Sequence, residues 1–148
     1  MESAFSAAQW LTFVKSGLNL PLSPFHEGSS FALLIYVRDG GASPATEFLE
    51  GLQRRDRVRV TALLERVAEH GPLSSGEKSA PLTGENFFEF KAGQQRLFWC
   101  YAPDRRIILL SGFTKKGSRT PKNELATGRT LCEEVREEIS NEDRRSRG

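Results

Sequence analysis

The chain has 148 residues, 38% of them apolar and 27% charged, with a formal net charge of +2. That composition suits one soluble domain with a single core, and the longest apolar run, Phe31 to Val37, is far short of the roughly 20 residues that cross a bilayer. The N-terminus lacks a basic stretch leading into an apolar one, so a secretory signal is not expected; Cys100 and Cys132 are isolated, too few for a zinc site and read as buried thiols of a reducing cytoplasm.

Residues 1–28 read as an N-terminal arm or extension. Within it, Ala4 to Leu18 offers a short amphipathic helix through Phe5, Trp10, Phe13 and Val14, which Pro21 and Pro24 stop. The domain proper is expected over 29–139. FALLIYV at 31–37 is rich in β-branched and aromatic residues and is closed by Asp39-Gly40-Gly41, so it reads as a strand. Ser43-Pro44 supplies an N-cap followed by proline at the first helical position. Ala45, Phe48, Leu49 and Leu52 then fall on one helical stripe. A second helix is expected from about Arg54 to His70, with its stripe at Val60, Leu63, Leu64 and Val67 and its end at Gly71-Pro72.

Residues 73–84 read as a polar loop. Three antiparallel strands follow: NFFEFK, then QQRLFWCY after a turn at Ala92-Gly93, then RRIILLSGF after a turn at Pro103-Asp104. Thr120-Pro121 repeats the cap-plus-proline signal. The last helix carries Leu125, Cys132, Val135 and Ile139 on one stripe, with Gly128 inside it. Residues 140–148, charged and devoid of apolar side chains, are expected to be a disordered tail. The class is α+β: a small, mainly antiparallel sheet of about four strands, a helical hairpin on one face and a C-terminal helix.

Charge is concentrated in Phe87 to Glu124. Eight cations (Lys91, Arg96, Arg105, Arg106, Lys115, Lys116, Arg119, Lys122) stand there against Glu89, Asp104 and Glu124, a net +5 where the whole chain carries +2. Such an excess on a β scaffold is the footprint of a polyanion binder. The expected turns pair Glu89 with Arg96, Lys91 with Gln94, and Arg96 with Ser111. One face therefore collects Glu89, Lys91, Arg96 and Ser111, with Lys115 and Lys116 just past the last strand. The other face carries Phe88, Phe90, Leu97, Trp99, Ile108 and Leu110 for the hairpin to cover. Phe98, Cys100, Ile107 and Leu109 form an apolar end of the polar face, to be covered by the C-terminal helix or by another protein.

The order of elements is similar to that of the RelE/ParE toxin superfamily, and to its HigB-like, phage-derived branch most of all. ENFFEFKAGQQRLFWCY (85–101) resembles that branch's "l-w-E-l-r … g-x-x-R-l-l-y" hairpin. RRIILLSGFTKKGSRTPKNEL (105–125) resembles its "r-i-v-l-L-h-g-F-x-K-K-t-x-k-T-P-x-x-E" segment. The likeness covers about residues 30–130. It implies a cytoplasmic type II toxin that cleaves mRNA, usually at the ribosome A site, without metal or other cofactor, and that a cognate antitoxin holds inactive. It does not imply a membrane partner.

Carried over by position, the resemblance makes Glu89, Lys91, Arg96 and Lys115 the catalytic candidates. Lys91, Arg96, Lys115, Lys116, Arg119 and Lys122 become the RNA-binding ones. Attack of a ribose 2′-hydroxyl on its phosphate needs a base, cations for the phosphorane and an acid for the departing 5′-oxygen. Glu89 is the only carboxylate on the face and so the candidate base. Arg96 is the candidate phosphate clamp, and Lys91 or Lys115 the charge stabiliser or acid. One departure stands out: no histidine or tyrosine follows Tyr101, and His26 and His70 lie outside the cluster. Glu89 and Arg96 are then also readable as a plain cross-strand ion pair. A non-catalytic binder on the same fold, gyrase-poisoning or simply antitoxin-bound, stays open as the alternative.

Overall fold

The structure is a computed structural model that describes residues 22–72 and 79–147. In chain order its elements are β1 (Leu22–Glu27), β2 (Ala32–Tyr36), α1 (Pro44–Glu50), α2 (Arg54–His70), β3 (Ser79–Pro81), β4 (Phe88–Ala92), β5 (Gln95–Ala102), β6 (Arg106–Thr114) and α3 (Lys122–Arg147). The strands form one sheet in the order β1-β2-β6-β5-β4-β3. Only β2 and β6 run parallel; every other neighbouring pair is antiparallel.

This is the expected α+β architecture, with two additions. Part of the presumed arm, Leu22–Glu27, is an edge strand paired with β2, and the presumed loop contributes β3, paired with β4. The helix read over Ala4 to Leu18 lies outside the described residues.

Two layers of side chains sandwich the sheet. On one face α1 and α2 bury Ala45, Leu49, Leu52, Val60, Leu63, Leu64 and Val67 against Leu33, Ile35, Phe90, Leu97, Trp99, Ile107 and Leu109. Ser43 caps α1 as its position predicts: its hydroxyl accepts from Thr46 N and donates to Tyr36 O at 2.9 Å, which also ties the helix start to β2. Phe48 of α1 lies flat over Gly112 of β6, where a Cβ would run into the ring. Trp99 sits between the Phe88 and Phe90 rings at centroid distances of 4.6 and 4.7 Å. Its neighbour in the cluster, Tyr101, is 45% exposed rather than fully packed.

The other face is covered by α3. Leu131, Cys132 and Val135 are buried against Phe87, Phe98, Cys100, Ile108, Leu110 and Phe113, with Leu125 and Ile139 packed at the margins. Ion pairs fasten the helix along its length: Arg129 with Glu85 at 2.8 Å, Glu134 with Arg38 at 2.6 Å, and Glu142 with Arg106 at 3.3 Å. The last of these lies beyond Ile139. The segment from Ser140, read as a disordered tail, is instead helical to Arg147, because good helix formers there continue an already anchored helix.

Register departs from the sequence reading in two places. The β4–β5 turn is Gly93-Gln94, not Ala92-Gly93, so Lys91 faces Arg96 and Glu89 faces Phe98. Gly93 sets this with a φ of +62°, as the first position of a primed two-residue turn demands. The β5–β6 connection spans Pro103 to Arg105, with Asp104 and Arg105 both at positive φ. That extra turn residue exchanges the faces of β6: Ile107 and Leu109 pack under the helical hairpin, and Ile108 and Leu110 under α3. A bulge where Phe98 gives way to Trp99 restores the parity by Ser111.

Candidate functional site

Four of the expected residues meet around the Gly93-Gln94 turn. Lys91 ends β4 directly across from Arg96 at the start of β5. Lys115, just past β6, donates its backbone N–H to Gln94 O at 2.8 Å, which fixes the third strand's exit to the same turn. Below it, Thr114 donates to the buried Gln95 Oε1 at 2.7 Å. Three strands thus deliver three cations to one end of the sheet.

Glu89 stands one residue pair inside this ring, on the same face as Lys91 and Arg96. Its side chain rises from an aromatic floor. Phe98 is its cross-strand partner, and Phe98 packs edge-on against Phe87 at 5.0 Å and Phe113 at 5.4 Å. Glu89 is only 3% exposed. Burial lifts its pKa above the ordinary carboxylate value, and the charges of Arg96, Lys91 and Lys115 pull it back only in part. The three cations therefore act on this carboxylate without fully compensating it.

Arg96 Nε lies 3.8 Å from Glu89 Oε1, an ion pair without a hydrogen bond. The guanidinium instead folds back on the hairpin: Nη1 donates to Gly93 O at 2.7 Å and to Gln95 O at 3.0 Å. As a result Glu89 Oε2, Arg96 Nε and Ser111 Oγ, all buried, have no hydrogen-bond partner among the described residues. Ser111 faces Phe98 rather than Arg96. Each unpaired polar atom of this kind costs about 1–3 kcal/mol. Three of them on one sheet face mark a polar spot that a hydrogen-bonding guest would satisfy.

The remaining candidates spread outward. Lys116 and Arg119 are exposed in the 115–121 loop, and Lys122 is exposed at the first position of α3. Pro121 O begins that helix by accepting from Glu124 N and Leu125 N. Arg105 and Arg106 belong elsewhere. Arg105 lies over the Phe31 ring, and Arg106 pairs with Pro103 O and Glu142 at the opposite end of β6. His26 on β1 lies 3.8 Å from Glu69, and His70 ends α2. Among the described residues no three His, Cys, Asp or Glu side chains converge as metal ligands, and no helix is long and apolar enough to cross a membrane.

One neighbour of the site escaped the sequence reading. Arg59 of α2 lies against the hairpin turn, with Nη1 2.6 Å from where a Cβ on Gly93 would stand. Its spacing four residues after Arg55 marks a polar helix face. Nothing in the spacing says which end of the sheet that face meets.

The family model described as Phage derived protein Gp49-like (DUF891) matches residues 47–133. The match spans α2, all of β3 to β6 and most of the helical contacts, and every residue named for the site lies inside it. No curated protein matches the chain. With well over half its length matched, the chain belongs to the Phage derived protein Gp49-like family, which is associated with RelE-like toxins.

Proposed function

We propose that this protein is a toxin-type endoribonuclease that cuts mRNA under translation and is restrained by a cognate antitoxin. The observation that carries the reading is the convergence of Lys91, Arg96 and Lys115 around the buried carboxylate of Glu89, within a family tied to toxins.

In this mechanism the ribose 2′-hydroxyl is the nucleophile. Glu89, whose raised pKa suits a base better than an ordinary exposed carboxylate would, takes its proton. The oxygen attacks the adjacent phosphate. Arg96 leaves the Gly93 and Gln95 carbonyls and turns its fork to the phosphate, where it opposes the charge of the phosphorane with Lys91 and Lys115. One of the two lysines gives a proton to the departing 5′-oxygen. The products are a 2′,3′-cyclic phosphate and a 5′-hydroxyl. Lys116, Arg119 and Lys122, spread along the exit of β6 and the start of α3, hold the RNA backbone.

A binding-only role is the second reading. It is favoured by Arg96 being engaged by the turn and Glu89 being enclosed. Single-turnover cleavage of ribosome-bound mRNA, with protein in excess, separates the two. Under the catalytic reading, Arg96→Ala and Glu89→Gln each lose about 10²–10³ in cleavage rate while association is largely retained. Association by the parental protein with no new 5′-hydroxyl ends would establish the binding-only role. Cutting at the parental rate by both variants would remove the Glu89 face as the active site.

A further inference from the structure

Two thiols that RNA chemistry does not use lie together in the layer under α3. Cys100 on β5 and Cys132 on α3 belong to one buried cluster and are 1% and 2% exposed. Both are free, and their side chains are within hydrogen-bonding reach of each other. Arg136, one helical turn beyond Cys132, also bonds to the Cys132 sulfur and donates to Asn86 O at 3.0 Å.

The two sulfurs are not equivalent. The hydrogen bond from Cys100, followed by Arg136, holds the Cys132 thiol below its ordinary value, whereas the same contact and burial push Cys100 up. One is placed as the thiolate nucleophile, the other as the partner that keeps its proton.

We propose that Cys100 and Cys132 form a peroxide-responsive dithiol whose oxidation bridges β5 to α3 and clips the C-terminal helix to the sheet. Hydrogen peroxide is the oxidant that suits sulfurs so enclosed, since a glutathione-sized disulfide does not fit between α3 and the sheet. The Cys132 thiolate attacks one peroxide oxygen. The O–O bond breaks, hydroxide leaves and takes up a proton, and Cys132 becomes a sulfenic acid. The Cys100 sulfur then attacks the Cys132 sulfur; the S–S bond forms, the S–O bond breaks, and water leaves with the Cys100 proton. Two thiols lose two electrons and one peroxide becomes two waters.

The clip acts where the helix meets the floor of the polar face. Gly128 of α3 touches Phe87 and Phe98, and Phe98 underlies Glu89. Oxidation holds that helix down. The inference rests on the thiol geometry alone and is independent of RNA cleavage.

The test uses the full chain, treated with hydrogen peroxide, quenched, denatured and assayed for free thiols, with unreduced peptide mapping alongside. Both thiols should disappear together, with a mass loss of two hydrogens and a linked Cys100–Cys132 peptide. The melting temperature should rise by about 5–10 °C, as expected for a bridge closing a loop of this size, and dithiothreitol should reverse the rise. Cys100→Ser should leave a sulfenic acid at Cys132 that dimedone traps, and Cys132→Ser should leave Cys100 unoxidised. Persistence of both thiols, irreversible oxidation of Cys132 without a link, or bridging only between molecules would each overturn the proposal. The mapping of the parental chain decides even where a variant fails to fold.

Discussion

Glu89 and Arg96 lie close enough to attract, 3.8 Å apart, yet exchange no hydrogen bond, because Arg96 spends its terminal nitrogen on the Gly93 and Gln95 carbonyls. The arginine braces the hairpin while the carboxylate stays buried and under-compensated. A pair optimised for stability would be bidentate and would leave no donor or acceptor unfilled. This one keeps a buried charge, two unfilled atoms and two further cations at the same turn. That strain of composition is what a site for an incoming anion looks like before the anion arrives.

Glu89→Gln should make the fold more stable at neutral pH. The native carboxyl binds its proton more tightly folded than unfolded, since its pKa is raised by burial. Stability of the parental chain therefore falls as pH rises through the window from the ordinary value of about 4.3 to the raised folded value, and stays lower above it. Glutamine, uncharged throughout, lacks that fall. Chemical denaturation at several pH values checks it: the gap should be open at pH 7 and close below about pH 4. A variant less stable than the parent at pH 7 would mean that attraction to Arg96 outweighs the burial cost.

Glu134 should behave with the opposite sign. Burial alone would raise its pKa, but hydrogen bonds from Arg38 and Tyr36 hold it below the ordinary value. Its contribution is therefore present above the unfolded value and lost as pH falls through the lowered folded one. Arg38 is 43% exposed at its side chain, so Arg38→Ala is expected to cost no more than about 1 kcal/mol, and less in high salt. Thermal melts at pH 7 in low and high salt measure this. A larger, salt-independent loss would show that Arg38 does more than pair with Glu134.

Much of the site was legible because face assignment depends only on parity. The β4–β5 turn was misplaced by one residue on each side, which moves every partner by two and leaves every side chain on its face. Glu89, Lys91 and Arg96 therefore still share a surface. The faces of β6 were not legible, since a three-residue turn with Asp104 and Arg105 at positive φ, followed by a bulge, changes parity twice. Composition misled at the C-terminus: a polar, apolar-free stretch reads as disordered, yet Glu142 finds Arg106 and the helix continues. Arg59 stayed hidden because its role depends on where α2 crosses the sheet, a long-range fact.

Gly128→Ala should destabilise the protein although alanine is the better helix former by about 1 kcal/mol. A Cβ at this position would stand 2.8 Å from Phe87 and 2.9 Å from Phe98 ring atoms. Both rings are buried and buttressed by each other, so the helix must lift or the floor must shift. Overpacking of this kind costs about 1–3 kcal/mol, which would appear as a lower denaturation midpoint. Combining it with Phe87→Leu should recover part of the loss, and an unchanged midpoint in Gly128→Ala would show the helix to be less tightly seated.

The last prediction separates the cations by depth. Lys115 acts on the buried Glu89, whereas Lys116, Arg119 and Lys122 are exposed and do not figure among the charges bearing on it. If the exposed three meet only the RNA backbone, each change to alanine should weaken binding across sequences alike. Each should also reduce the slope of log affinity against log salt by about 0.7 for a single strand. Their single-turnover cleavage at saturation should stay near the parental rate. Lys115→Ala should lower both affinity and rate, because removing it withdraws one charge from the reacting phosphate as well as one from the track. Fluorescence anisotropy with a labelled oligoribonucleotide across a salt series, read beside the saturated cleavage rate, distinguishes the two classes. Should Lys115→Ala lose affinity alone, the reacting phosphate would have to be placed between Lys91 and Arg96, with Lys115 as one more backbone contact.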